Sequence, residues 1–154
     1  MKRLHLFSFI SLFMCAFALL SCSSDDDKVS SDTIKANIVG TWQATHVSGY
    51  IFDKNEKVVE VDKDIMGEDS ERFIFKDDGT CQYLSAYSEI TKDWSDKETY
   101  KYDINENKIY FHTLIGVLES AYTVLSINGN SAIVEHNLDN DPRYPHRITF
   151  IKVR

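Results

Sequence analysis

From about residue 38 onward, apolar and polar side chains alternate with a period of two, and turn-forming residues recur at short intervals. This pattern marks short antiparallel strands. Ile38 to Ile51 is predicted as a long first strand, followed by a turn at Asp53-Lys54-Asn55-Glu56 and a second strand from Lys57 to Val61. An acidic loop, Asp62 to Ser70, contains Gly67. Glu71 to Lys76 and Thr80 to Ser88 form a hairpin through Asp77-Asp78-Gly79, where glycine accepts a positive φ. Glu98 to Ile104 and Lys108 to Leu114 flank Asn105-Glu106-Asn107, and Ser120 to Ile127 and Ser131 to Leu138 flank Asn128-Gly129-Asn130. A loop with two prolines, Asp139 to Pro145, leads into a last strand, His146 to Val153. The helical candidate is a single turn from Asp32 to Asn37, with Asp32 as its N-cap.

Eight or nine such strands joined by tight turns predict an all-β domain, an antiparallel up-and-down β-barrel of about eight strands. Closing the sheet removes both exposed edges. Alternation also assigns the faces. Trp42, Ala44, Phe73, Phe75, Cys81, Tyr83, Tyr100, Tyr102, Ile109, Phe111, Tyr122, Val124, Ala132 and Val134 share the inner face, with either Ile148 and Phe150 or their neighbours. Lys76, Gln82, Lys101, Asp103 and Glu135 share the outer one.

The N-terminal segment has a different character. Met1-Lys2-Arg3 is a short positive region, and Leu6 to Leu20 is an apolar run of secretory-signal length. Spanning a bilayer takes about 20 apolar residues, and this run is interrupted by Ser8 and Ser11. Leu19-Leu20-Ser21-Cys22 resembles a bacterial lipoprotein signal, cut before an acylated cysteine. The resemblance implies a signal peptide over 1–21 and a membrane anchor through a lipid on Cys22. Residues 22–32, with Asp25-Asp26-Asp27, cannot bury enough apolar surface to order themselves and are expected to form a flexible acidic tether. The tether is similar to the export signal of Bacteroidetes lipoproteins, which implies the outer membrane and its outer face. The barrel domain is then expected over 33–154.

Gly40-Thr41-Trp42, on the first strand after a short helix, resembles the Gly-x-Trp opening of lipocalins and of the lipocalin-like domains of Bacteroidetes lipoproteins. That resemblance implies that Trp42 plugs the closed end of the barrel and that a late arginine packs over its indole. Arg147 is the candidate for that arginine, with Arg154 its rival. The chain lacks the disulfide and C-terminal helix of typical secreted lipocalins.

Composition narrows the functions. The chain carries a net charge of −7, and cleavage before Cys22 would remove Lys2 and Arg3. An acidic domain without a basic stripe does not suit nucleic acid. With Cys15 in the signal and Cys22 acylated, Cys81 has no disulfide partner and is expected to be a buried apolar filler. His46, His112, His136 and His146 lack the close spacing of a zinc site and are expected at strand surfaces or rims. Neither Asp62–Asp69 nor Asp139-Asn140-Asp141 has the spacing of an EF-hand. No nucleophile elbow or phosphate-binding loop occurs. No metal or cofactor is implied, and no enzymatic constellation stands out.

Two non-catalytic classes remain. As a binding module, the barrel would hold a small apolar or amphipathic ligand. Tyr50 is expected at its mouth and Tyr83 and Tyr102 at middle depth, with Phe75, Phe111 and Tyr122 completing the lining. As an interaction module, it would meet a protein or glycan through the rim loops Asp62–Ser70 and Ser88–Lys97, the latter presenting Trp94. A cavity would favour the first class.

Overall fold

The computed structural model describes residues 28–153; the signal segment, Cys22, the first part of the tether and Arg154 lie outside them. One helix, α1 (Ser31–Ile38), precedes nine strands: β1 (Gly40–Phe52), β2 (Val58–Asp64), β3 (Arg72–Phe75), β4 (Thr80–Ser88), β5 (Asp93–Asn105), β6 (Lys108–His112), β7 (Leu118–Ile127), β8 (Ser131–Asn137) and β9 (Pro145–Val153). All neighbouring pairs are antiparallel, and β1 closes the barrel on β9. Nine strands make an eight-strand barrel, because β2 and β3 share one position. The end of β1 pairs with β2 from His46 to Phe52, and its start pairs with β3 from Gly40 to Gln43.

The helix is longer than the sequence suggested. Its N-cap is Ser30, not Asp32: Ser30 is extended, and its hydroxyl accepts from the Thr33 amide at 3.2 Å. Asp32 sits instead in the first turn, where a negative charge suits the helix dipole. Val29 already packs against the core, so the ordered domain begins before the expected boundary at residue 33. The buried face, Ile34 and Ile38, caps the end of the barrel where β1 starts. No helix among the described residues is long and apolar enough to cross a membrane.

Trp42 is 2% exposed in the core below that helix, and its indole N–H donates to the Ile38 carbonyl at 2.6 Å. The cation over the indole is Lys152, with Nζ 5.1 Å from the ring centroid. Arg147, the expected partner, points outward and pairs with Glu135 at 2.6 Å. The strand period explains the difference: Ile148 and Phe150 turn inward, so Arg147 turns outward. Lys152 lies on the inner register at the very end of β9, where the barrel is capped. Gly40 makes room for it. At φ +133°, a Cβ on residue 40 would stand 2.5 Å from Lys152 Cε.

A bulge in β1 between Ala44 and His46 sets which side chains face inward above it. Below the bulge, Trp42 and Ala44 are inside; above it, Val47 is buried and His46 reaches out to Asp62 and Asp64 on β2. Asp62–Asp64 therefore belong to a strand, and the expected acidic loop shrinks to the segment from Ile65 to Glu71, with one 3-10 turn at Gly67–Asp69. β5 begins five residues earlier than the pattern predicts. Apart from Trp94, Asp93–Lys97 are polar, yet they pair with the end of β4 across a turn closed by Lys92, whose amide bonds to Ser88 O at 2.8 Å.

Candidate functional site: the barrel mouth

The interior divides into two halves. Toward the helix, Phe73, Phe75, Phe111 and Phe150 pack ring on ring with centroids 5.6 to 5.9 Å apart. They leave a wholly apolar void of about 30 Å³, room for little more than one water. Toward the other end the lining changes to shorter and polar groups, and a cavity of about 250 Å³ opens. Val47, Ile51, Ile65 and Ile148 form its apolar walls, and Lys63, Asp69, Ser70, Glu71, Ser85 and His146 supply its polar groups.

Glu71 is the unusual member. It precedes β3 on the same register as Phe73 and Phe75, so its carboxyl points inward. Its carbonyl holds it there by accepting from the Ala44 amide at 2.9 Å and from Gln43 Nε2 at 3.1 Å. Burial pushes the carboxyl above the usual range, against the lowering effect of the neighbouring Tyr83 hydroxyl. Burial likewise raises the phenols of Tyr83 and Tyr122, and the Glu71 charge raises both further. Both stay neutral donors.

Two histidines complete this end. His136 and His146 are cross-strand partners on the inner register of β8 and β9, with ring centroids 4.7 Å apart. His136 also meets the Tyr122 ring edge-on at 4.8 Å. Burial lowers both histidines, and His146 lowers His136 further. His146 Nδ1 lies 2.9 Å from the Tyr50 carbonyl, which fixes it as the protonated nitrogen.

Residues 38–131, more than half of the chain, match the family of the lipocalin-like domain. The chain belongs to the lipocalin-like domain family. No curated protein matches the sequence. Among solved structures, the chain is similar to a biogenic amine-binding protein, at 14% identity over 82% of this chain and 69% of that one, with a TM-score of 0.46. It is similar to the tryptamine complex of the amine binding protein of Rhodnius prolixus, at 14% identity over the same shares and a TM-score of 0.45. It is also similar to Per a 4, a major allergen of cockroaches, at 19% identity over 73% of this chain and 64% of that one, with a TM-score of 0.44.

The lipocalin-like barrel separates the six residues expected to line a ligand site. Tyr83 and Tyr122 lie near Glu71 but do not line the open cavity, and Tyr122 lines the small void of the packed half. Phe75 and Phe111 belong to the packed half, around the small void. Tyr102 is deeper than expected: its hydroxyl donates to the Lys76 carbonyl at 2.8 Å, at the helix-capped end. Tyr50 is on the outer face, because the bulge in β1 shifts the alternation by one; its ring packs edge-on against Tyr144. Trp94 is not a free rim group either. It lies in β5, packed at a tilt against Tyr87 at 5.0 Å and under the Arg72 guanidinium at 5.1 Å.

Sequence reasoning missed Glu71, His136 and His146. For Glu71 and His136 the signal was present in the alternation that placed Phe73 and Val134 inside; for His146 the pattern left open which face of the last strand turns inward, and the pairing with β8 decides it. A polar residue two positions along the same strand faces the same way.

Proposed function

We propose that this lipocalin-like domain is a non-catalytic binding cup for a small ligand, held at a membrane by a lipid on Cys22. The observation that carries the reading is the division of the barrel. One half is packed around rings, and the other encloses about 250 Å³ with apolar walls and a few polar groups. Such a lining suits an amphipathic molecule, with apolar area for affinity and polar groups for orientation. The tether enters at α1, the capped end, so an anchored barrel opens away from the bilayer. The lipoprotein-like N-terminus and acidic tether support an outer-membrane location, displayed on the outer face.

A second reading, contact with a protein partner, rests on the turn between β6 and β7. There Leu114, Ile115 and Val117 are exposed at the mouth.

Calorimetric titration of the soluble domain with 2-phenylethanol, a neutral amphipathic probe, tests the cup. Binding is expected in the wild type and should be lost in Ser85→Trp, which fills the cavity from β4, with the thermal midpoint retained. Binding that Ser85→Trp leaves unchanged would place the probe elsewhere and overturn the reading.

A further inference from the structure

We propose that the mouth cavity selects a small organic cation, an ammonium group on an apolar body, through the inward carboxylate of Glu71. The inference rests on the binding-cup reading and adds the chemical class of the ligand.

Glu71 is a half-buried acid held at the cavity wall by its own backbone, yet among the described residues it takes part in no ion pair. A buried charge without a counter-ion is costly, and proteins ordinarily pair it. The nearby cations are all engaged elsewhere. Lys63 rims the cavity but its Nζ is turned to Asp69 Oδ2 at 3.4 Å. Arg72, the next residue, faces outward, donating from Nε to Gln43 Oε1 at 2.9 Å beside Trp94. His136 and His146 face inward, but burial keeps them neutral at neutral pH, and His146 spends its Nδ1 on the Tyr50 carbonyl.

The remaining groups favour a cation as well. Tyr83 turns its hydroxyl toward the carboxylate and Tyr122 lies near enough to feel its charge, and neither brings a positive charge that would compete with a cation. Asp69 lines the same cavity and adds a second acid near Glu71. The ligand's apolar part would lie on Val47, Ile51, Ile65 and Ile148. An ammonium ion would thus supply the counter-charge that the fold leaves out, and an anion would meet two acids.

Three probes of one shape separate the possibilities: 2-phenylethylamine, 2-phenylethanol and 3-phenylpropionate, titrated calorimetrically into the soluble domain at neutral pH. The amine is expected to bind about tenfold or more tightly than the alcohol, and the carboxylate most weakly. In Glu71→Gln the amine should fall to the level of the alcohol, whose own affinity stays unchanged. Glu71→Asp, which keeps the charge, should keep an amine preference. An alcohol that matches the amine in the wild type, or an amine advantage that survives Glu71→Gln, overturns the cation inference and leaves the cup intact. Failure of all three probes overturns the cup itself. Should Glu71→Gln not fold, the wild-type comparison of amine and alcohol decides.

Discussion

Lys152 clamps Trp42 to the end of the helix. Its Nζ lies 5.1 Å over the indole ring and donates to the Asn37 carbonyl at 2.8 Å, while the indole N–H donates to the next carbonyl, that of Ile38. One side chain therefore satisfies a free carbonyl at the helix C-terminus, where a cation also suits the dipole, and covers the buried ring. The arrangement gives the Gly-Thr-Trp opening a physical meaning: glycine at 40 lets the lysine stem pass, and tryptophan at 42 receives it.

Trp42→Ala is expected to destabilise the domain by about 3–5 kcal/mol, the usual loss for a large buried aromatic. Lys152→Met should cost about 1–2 kcal/mol, from one cation–ring contact and one hydrogen bond. Arg147→Ala, on the outer face, should change little. Urea denaturation of the three variants checks the order, and a larger loss at Arg147 than at Lys152 would contradict the clamp.

The inward histidines predict a stability that depends on pH. Both are lowered in the folded state, His136 by burial and then by His146, and His146 by burial. The unfolded chain therefore takes up protons first, near the ordinary histidine value of about 6.5. Stability should be full above that pH and fall as the pH drops below it, toward the lowered folded values. Glu71 acts in the opposite sense, since its raised carboxyl binds a proton more readily in the folded state. Denaturation midpoints at neutral and mildly acidic pH should fall on acidification in the wild type and fall less in His136→Phe.

Cys81 should be inert in the native domain. It is fully buried, and burial pushes its thiol up to about 12, which leaves almost no thiolate to react near neutral pH. An aromatic disulfide reagent should label it only after denaturant is added. Rapid labelling of the folded domain would mean that the core opens locally.

Cys22 is the test of the anchor. Cys22→Ser in the full-length chain should abolish acylation and move the protein from the membrane to the soluble fraction, because each buried CH₂ of the lipid contributes about 0.8 kcal/mol. A serine variant that stays with the membrane at full length would make the apolar segment an uncleaved anchor.

Most of the barrel was legible along the chain, because a strand with one face in the core must alternate and a tight turn needs particular residues. The hairpin at Asn128 to Asn130 is an example: the Asn128 side chain accepts from the amides of Asn130 and Ser131 at 2.9 Å. So is the inner face from Trp42 to Val134, of which Phe73, Cys81, Phe111 and Val124 are buried. Asp62–Asp64 and Asp93–Lys97 escaped the pattern, because strand formation there follows from the neighbours β1 and β4 and Trp94 is the one apolar residue in either segment.

The site was decided by tertiary structure. A single bulge after Ala44 sends Tyr50 outside and brings Val47 into the cavity wall, and no residue at that point announces a one-position shift. Glu71 was placed inward by its own strand, but only the folded barrel shows that no cation meets it among the described residues. His136 and His146 stand ten positions apart in sequence and touch because β8 and β9 pair in one register. Alternation is local and can be read from neighbours in the chain; register, bulges and the pairing of charges depend on residues far apart, which only the closed sheet brings together.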